Sequence, residues 1–346
     1  MASTTSSDIN AFQNALKSAK HIVALAGAGL SAGTHDLLVN LVSILCQHAQ
    51  QALPDSTQFY PLPPFIYIYL TFFAMAHLSN ASFVYKKLYV SSYYSRRVGG
   101  AGDGGLWRKY DAMSLATPRA FRANPSRVWQ FYHYRRELVL TKEPNRAHKA
   151  LVAFEQKILS QASSQSSDTP TFALITQNID GLSAGIQNLI EMHGMLFKNR
   201  CTGCGDVREN RNSPIVPALE GTENEEFERE IALKDLPKCE KCNGLLRPHV
   251  VWFEESLEAS VLAEIQKELF RCDLVLIIGT SGLVYPAAGF RHAVKIQNPQ
   301  AIIANFNVEP MERLETLETG IDFEFIGPCG QTLPEVLGVK AEVDRM

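Results

Sequence analysis

The sequence lacks the features of a nucleic-acid-binding or secreted protein. Its 346 residues carry a formal net charge of −3, which leaves no broad basic surface. The N-terminus has no apolar signal-peptide core, so we expect an intracellular protein with reduced thiols. Arginine is absent before Arg96, which argues against an Arg-rich mitochondrial presequence, although Lys17 and Lys20 in an amphipathic N-terminal segment leave that compartment open.

The sequence also lacks a long apolar run. The mainly apolar stretch Pro64 to Leu78 is shorter than the roughly 20 residues of a membrane helix, so no membrane span is expected. No internal repeat is visible. With 46% apolar residues the chain can bury a large core, and its length favours a main domain with one or two smaller modules.

Cysteine is scarce but clustered. Of the seven cysteines, four form two Cys-x-x-Cys pairs, Cys201 with Cys204 and Cys239 with Cys242. Each pair places two thiolates on a tight turn, and two such turns complete the tetrahedral shell of structural zinc. A redox Cys-x-x-Cys rarely occurs twice so close together. We therefore predict one structural zinc ion that holds a small module together and does no chemistry.

Short apolar runs alternate with helical patterns and predict a doubly wound α/β fold. The predicted buried parallel strands are His21 to Ala26, Thr171 to Ile175, Asp273 to Ile278 and Ala301 to Phe306. The predicted helices are Asp8 to Ser18, Ala147 to Leu159 and Leu257 to Phe270. Residues Ser160 to Thr169, rich in Ser and Gln, predict a surface loop. The predicted architecture is a Rossmann-like parallel sheet with a helical module and a small zinc-binding module.

Two strand ends carry the small residues that are typical of a nucleotide site. The first strand runs into Gly27-Ala28-Gly29-Leu30-Ser31-Ala32, where small residues let the backbone approach a pyrophosphate and the next helix presents free N–H groups. Gly279-Thr280-Ser281 follow another strand. Either turn alone is weak evidence, because a Gly-x-Gly is often only a tight turn. Together they favour a ligand beyond the carboxyl ends of the strands.

Further motifs occur in a specific order. Between and after the two glycine-rich turns the chain carries Thr176-Gln177-Asn178-Ile179-Asp180, then His193-Gly194, then the four cysteines, and finally Asn307-x-Glu309. This order resembles that of the sirtuins, the NAD-dependent protein-lysine deacylases, over most of residues 10–31 and 99–338. Phe131 to Arg136 and Arg247 to Phe253 are similar to the class III branch, which removes succinyl, malonyl and glutaryl groups.

The resemblance implies roles for individual residues. His193 matches the general base, which suits an imidazole, and Asn178 matches a second catalytic residue that orients the ribose. The implied NAD contacts are Gly27, Ala28, Gly29, Ala32, Gln177, Asn178, Asp180, Gly279, Thr280, Ser281, Asn307, Glu309 and Cys329. The implied reaction is displacement at the anomeric carbon of the nicotinamide ribose. Its products are free lysine, nicotinamide and O-acyl-ADP-ribose.

The resemblance also implies an acyl-lysine site. Tyr132 and Arg135 match a Tyr-x-x-Arg whose phenol and guanidinium bind the carboxylate of an acidic acyl group, and a spacing of three places both on one helical face. Ala116 matches the small residue that leaves room for a longer acyl chain. The residues Val251, Trp252 and Phe253 resemble the strand that pairs with the substrate peptide backbone.

Residues Thr34 to Val98 depart from the family pattern. Sirtuins follow the first glycine turn with Ser-Gly-Ile-Pro-x-Phe-Arg and then Gly-Gly-x-Trp, whereas this chain reaches Gly104-Gly105-Leu106-Trp107 only after the extra segment. The loop Phe and Arg that cover the cofactor are missing, and Arg96 or Arg97 is the candidate replacement for that Arg. We interpret the segment as an unspliced intron or a gene-model error, and a lineage-specific insert for membrane or partner contact is the alternative. An active deacylase and a catalytically impaired scaffold both remain open.

Four regions are expected. They are a Rossmann-like NAD-binding domain of residues 1–33, 143–198 and 247–340, an atypical insert of residues 34–98, a cofactor-loop remnant with a helical module at 99–142, and a zinc-binding module at 199–246. The expected partners are acylated lysine side chains of proteins, without specific nucleic-acid binding. The resemblance implies a mitochondrial location, with cytoplasm or nucleus as alternatives, and leaves the oligomeric state open.

Overall fold

The long strands of the main sheet consist of short, mainly apolar runs that end at turn residues. The computed structural model describes residues 6–32, 106–107, 110–161, 170–224, 228–280, 282, 285–311 and 320–346. In chain order the strands are β1 (His21–Ala26), β2 (Leu106–Trp107), β3 (Tyr110–Asp111), β4 (Thr171–Thr176), β5 (Leu189–Glu191), β6 (Gly194–Cys201), β7 (Val207–Glu209), β8 (Leu246–Val250), β9 (Leu274–Ile278), β10 (Ile302–Asn307) and β11 (Phe323–Ile326).

A six-stranded parallel sheet carries the main unit. Its order is β11-β10-β9-β1-β4-β5, so β1 lies in the middle between β4 and β9. The chain leaves β1 towards β4 and later returns to β9 on the other side, which creates a change of winding direction between β1 and β9. Crevices at such points bind ligands in open α/β sheets. The four predicted strands are confirmed to within one residue at each end.

The helices cover this sheet and build a smaller helical layer. In chain order they are α1 (Ile9–Ser18), α2 (Ala28–Ser31), α3 (Ala112–Leu115), α4 (Pro118–Ala123), α5 (Pro125–Leu140), α6 (Arg146–Gln161), α7 (Ala259–Arg271), α8 (Ala287–Gln297), α9 (Cys329–Val336) and α10 (Lys340–Val343). The predicted start of α7 at Leu257 is wrong by two residues. The predicted loop from Ser160 is wrong for its first two residues, which extend α6, and residues 162–169 lie outside the described chain.

Alternation along the central strand sends side chains into two separate cores. Ile22, Ala24 and Ala26 face a cluster that includes residues of α1, α6 and α9. Val23 and Leu25 face a second cluster built from α7 and α8. Because successive side chains of a strand point to opposite faces, a strand buried on both faces is mainly apolar, and β1 is apolar after the buried His21. This double burial fixes the carboxyl end of β1 rigidly in the middle of the sheet.

A second, antiparallel sheet of order β7-β6-β8 lies beside the helical layer. Trp129 on α5 is fully buried, and its indole N–H donates to the carbonyl of Leu246 at the start of β8 over 2.8 Å. The buried Arg136 donates from α5 to the carbonyls of Leu196, Asn210 and Asn212. These bonds hold α5 against β6 and β8. None of the helices in the described part of the chain is long and apolar enough to cross a membrane.

Residues 34–98 lie outside the described residues, and with them the expectations for the Pro64 to Leu78 run and for Arg96 and Arg97. The described residues all belong to one compact unit.

Candidate active site and metal centre

The backbone segments that follow the parallel strands β1 and β9 cross closely at Gly29 and Gly279. The N–H of Gly29 donates to the carbonyl of Gly279 over 2.8 Å, and Gly279 has a φ of +55°. A Cβ on Gly29 would lie 2.6 Å from the Cα of Gly279, closer than two carbon atoms can approach. Both glycines are therefore required by the crossing itself. The prediction that the helix after β1 presents free N–H groups is wrong at Gly29, whose N–H is already used.

Residues that follow β4 bond to the segments on both sides of the Gly29–Gly279 contact. The Asn178 side chain donates to the carbonyl of Gly27 and to Ser31 Oγ, both over 3.1 Å. Ser31 in turn donates to Asp180 Oδ2 over 2.8 Å. Gln177 donates to Thr280 Oγ1 over 3.3 Å. The predicted cofactor residues of β1, β4 and β9 are thus joined in one buried hydrogen-bond network.

This network leaves two buried acceptors unsatisfied. Gln177 Oε1 and Asn178 Oδ1 have no hydrogen-bond partner among the described residues, although both side chains are buried. A buried amide oxygen without a donor costs about 1–3 kcal/mol. Hydroxyl groups of a bound sugar are donors of the right kind, so the cleft fits the ribose part of a dinucleotide. The residues present therefore fit NAD.

The remaining predicted cofactor residues lie around β9 and β10. Asn307 donates to the carbonyl of Thr280 over 3.1 Å and ties the two strand ends together. Cys329 is buried at the start of α9, and burial raises the pKa of its thiol to about 11, so it is not a reactive thiolate. Ala28 is buried, whereas Ala32 and Glu309 are exposed. Ser281 lies outside the described residues.

His193 lies in the turn between β5 and β6 with its tautomer fixed. Its Nδ1 is 3.0 Å from the carbonyl oxygen of Gln177, and only a protonated Nδ1 can donate to a carbonyl. Nε2 of the neutral ring is then left as the acceptor of a proton. Burial lowers the pKa of His193 below its ordinary 6.5, against the opposing effect of the Gln177 bond. A neutral, oriented imidazole is the form that a general base requires.

Tyr132 and Arg135 lie side by side on α5, as the spacing predicts. Both are buried, with exposed fractions of 0% and 1%. The guanidinium carbon of Arg135 is 5.8 Å from the centre of the Tyr132 ring. Burial lowers the pKa of Arg135, and the carboxylate of Asp180 opposes this shift. The electrostatic effect of Asp180 on Arg135 links the predicted acyl site to a predicted cofactor residue.

The segment after β8 differs from its prediction. Val251, Trp252 and Phe253 lie outside a strand in this structure, because β8 ends at Val250 and Phe253 begins a turn, and their pairing with a substrate peptide stays a prediction. The three N–H groups already donate within the chain, to the carbonyl of His193, to Glu255 Oε2 and to the carbonyl of Ala116. The bond from Phe253 brings the buried Ala116 next to the segment that carries Trp252, whose indole N–H donates to Tyr132.

The four paired cysteines converge. All four Sγ atoms lie within 4.8 Å of one another, with 3.4 Å between Cys201 and Cys242 and 3.7 Å between Cys204 and Cys239. Four thiolates at about 2.3 Å from one zinc ion are roughly 3.8 Å apart, so the arrangement fits. The backbone N–H groups of Cys204 and Gly203 lower the pKa of Cys201 to about 6. The pKa of Cys204 shifts the other way, because its hydrogen bonds with Cys242 and Cys201 raise its pKa to about 12, so the fit to zinc rests on the converging Sγ atoms.

Two polar residues of the cleft were missed as site residues. Ser31 ends the first glycine turn and connects Asn178 with Asp180. His148, buried at the start of α6, has its Nε2 3.4 Å from Ser31 Oγ. Ser31 could have been found, because it belongs to the glycine-rich motif. His148 carries no local signal, since its partner lies 117 residues away in the chain.

Comparison with known proteins agrees with this geometry. A model of the Sir2 family matches residues 100–286. The mitochondrial NAD-dependent protein deacylase sirtuin-5A of Xenopus laevis is 49% identical over 243 residues, which cover 68% of this chain and 74% of that protein. A crystal structure of a Sir2 homologue with NAD is similar with a TM-score of 0.64 at 26% identity, covering 99% of this chain and 98% of that one. A mutant Sir2 homologue with 2′-O-acetyl ADP ribose has a TM-score of 0.62 at 27% identity, covering 97% and 96%. With its sheet, its cleft and its four-cysteine cluster, this chain belongs to the Sir2 family, the sirtuins.

Proposed function

We propose that this chain is an NAD-dependent protein-lysine deacylase that prefers succinyl-, malonyl- and glutaryl-lysine. The placement of His193 carries the proposal. Its ring bonds to the Gln177 carbonyl in the cofactor cleft, and its own carbonyl accepts the N–H of Val251, which leads into the acyl region. A base held between the cofactor cleft and the acyl region can act on a group that is bound by both.

NAD would be held by Gln177, Asn178 and the crossing glycines, and when bound it would supply a nicotinamide ribose from which nicotinamide can be displaced at the anomeric carbon. The protein's own part is to orient this sugar through the unsatisfied oxygens of Gln177 and Asn178. His193 Nε2 would accept the proton of a ribose hydroxyl. A positioned base of this kind contributes roughly 10²–10⁴ in rate. Similarity to the mitochondrial NAD-dependent protein deacylase of Xenopus laevis supports both the deacylase activity and a mitochondrial location.

Acyl preference would follow from charge. Arg135 is buried, and a buried guanidinium is stabilised by a carboxylate that pairs with it in a two-pronged hydrogen bond. A succinyl, malonyl or glutaryl group brings that carboxylate, whereas an acetyl group does not. The difference in transition-state binding should be about 3 kcal/mol, the order of a paired buried charge.

The test compares kcat/KM for matched peptides that carry succinyl-lysine or acetyl-lysine. We expect the parent chain to favour succinyl-lysine by roughly a hundredfold, and Arg135→Met to reverse the order because an apolar pocket remains. Tyr132→Phe should weaken the preference more mildly. The matched control is Arg119→Met, an exposed arginine on α4, which should leave the ratio unchanged. Equal turnover of both peptides by the parent would leave only a general sirtuin activity.

We also propose the four regions expected from the sequence, namely residues 1–33 with 143–198 and 247–340, residues 34–98, residues 99–142, and residues 199–246. The antiparallel sheet β7-β6-β8 and the cysteine cluster support a separate zinc-binding module near residues 199–246.

A further inference from the structure

The hydroxyl group of Tyr132 has a fixed polarity. Its oxygen is 2.9 Å from Nε1 of Trp252, and an indole nitrogen can only donate. The Tyr132 oxygen must therefore accept this bond, and its own O–H hydrogen has to point elsewhere. Among the residues that the structure describes, the Tyr132 hydroxyl donates no hydrogen bond. Burial raises the pKa of Tyr132 to about 12, so the hydroxyl keeps its proton at neutral pH.

Trp252 is held in place from three directions. The guanidinium carbon of Arg247 lies 3.5 Å from the centre of the indole ring. The carboxylate of Glu255 accepts two bonds from Arg247, of 2.6 and 2.8 Å, and also the backbone N–H of Trp252 over 2.9 Å. The ring of Phe121 packs against the indole at 5.3 Å between ring centres. Since the indole is 2% exposed and clamped in this way, its N–H can reach little besides Tyr132.

We propose that Trp252 is a positioning residue for acyl specificity, which turns the hydroxyl of Tyr132 into a donor aimed at an anionic ligand group. By occupying the acceptor side of the oxygen, the indole leaves the donor side for a carboxylate next to Arg135. The Arg247–Glu255 pair supports this arrangement by fixing the indole plane. The inference rests on the acyl preference proposed above and adds the group that orients its neutral donor.

Peptide affinity tests the inference without requiring turnover. Calorimetry on the full chain would compare succinyl-lysine and acetyl-lysine versions of one peptide for the parent, Trp252→Phe, Tyr132→Phe and the double variant. Trp252→Phe keeps an aromatic ring but removes the N–H. We expect it to weaken succinyl-lysine binding roughly three- to tenfold, the effect of one hydrogen bond, with acetyl-lysine binding unchanged. In the Tyr132→Phe background it should cause no further loss.

The outcomes separate this inference from the proposed function. Parent affinity that is equal for the two peptides overturns the acyl preference and this inference together. A parent that prefers succinyl-lysine, with Trp252→Phe weakening both peptides alike or acting equally without the Tyr132 hydroxyl, overturns the inference alone, because Trp252 then acts by packing. If Trp252→Phe does not fold, Arg247→Lys serves instead, since it removes the two-pronged pair and the stacked plane. It should weaken succinyl-lysine binding selectively, and an equal loss for both peptides overturns the inference.

Discussion

At the scale of single residues, the site depends on which atoms are already bonded. His193 is oriented because its Nδ1–H donates to the Gln177 carbonyl, and Tyr132 is oriented because its oxygen accepts the indole N–H of Trp252. Neither fact can be read from the sequence, because each partner is distant along the chain. The sequence does identify the residue types. The hydrogen bonds determine the tautomer of His193 and the direction in which the Tyr132 hydroxyl donates.

The pH dependence of activity should report on His193. Because burial lowers the pKa of His193 below 6.5, the ring is neutral at pH 7 and becomes protonated only as the pH falls through that lowered value. A protonated base is inactive, so kcat/KM should be flat near neutrality and fall tenfold per unit on the acid side of this pKa. His193→Tyr should abolish deacylation with the fold intact.

A matched control for this prediction is His292→Asn. His292 on α8 also has a pKa lowered by burial, yet it lies outside the proposed catalytic residues. Its replacement should leave the acid limb of the rate profile in place. If the acid limb persists unchanged in a still active His193 variant, His193 is removed from the mechanism.

At the scale of elements, the sequence predicts the strands that follow a local apolar pattern. It misses the features that depend on contacts between segments far apart in the chain. The four predicted strands are right because each is a mainly apolar run with most of its side chains buried. The stretch Val251 to Phe253 is also apolar but is not a strand, because its N–H groups bond to other segments and Glu254 has a φ of +71°. The close crossing of Gly29 with Gly279 was likewise beyond prediction, since it joins residues 250 positions apart.

The cysteine cluster should behave as a folding element. Because four thiolates bind one zinc ion whose site forms only on folding, Cys201→Ser should release the metal and destabilise residues 199–246. We expect about one equivalent of zinc in the purified parent by metal analysis, and faster amide exchange in β6 and β7 of the variant. Cys272→Ala is the control, since that buried cysteine lies outside the cluster and should leave the zinc content unchanged. Parent protein without zinc contradicts the prediction.

At the scale of the whole molecule, the site is assembled from segments that the chain order keeps far apart. The turn after β1, the segment after β4, the turn before β6, the segment after β8 and the end of β9 all meet beside the middle of the sheet. Each is anchored by a buried strand or by α5. An interruption between these segments can leave the rest of the constellation in place while changing how the cofactor is covered. The sequence predicts such an interruption at residues 34–98, directly after the first glycine turn.

Removal of this segment should strengthen NAD binding. In the family this chain resembles, the loop after the first glycine turn carries a Phe and an Arg that cover the cofactor, and this chain lacks that Phe-Arg pair. We expect a variant with Ser-Gly-Ile-Pro-x-Phe-Arg in place of residues 34–98 to bind NAD at least tenfold more tightly than the full chain, a difference of about 1.4 kcal/mol. Calorimetry with NAD measures it.

The control for the segment is the pair Arg96→Ala and Arg97→Ala in the full chain. If either arginine replaces the missing loop Arg, its removal should weaken NAD binding further, and if neither does, both variants should match the parent. A transcript read across codons 33 to 99 distinguishes a translated intron from a true insert. Equal NAD affinity in the full chain and the replaced variant would mean that residues 34–98 cover the cofactor as well as the family loop does, and it would remove the argument for an impaired scaffold.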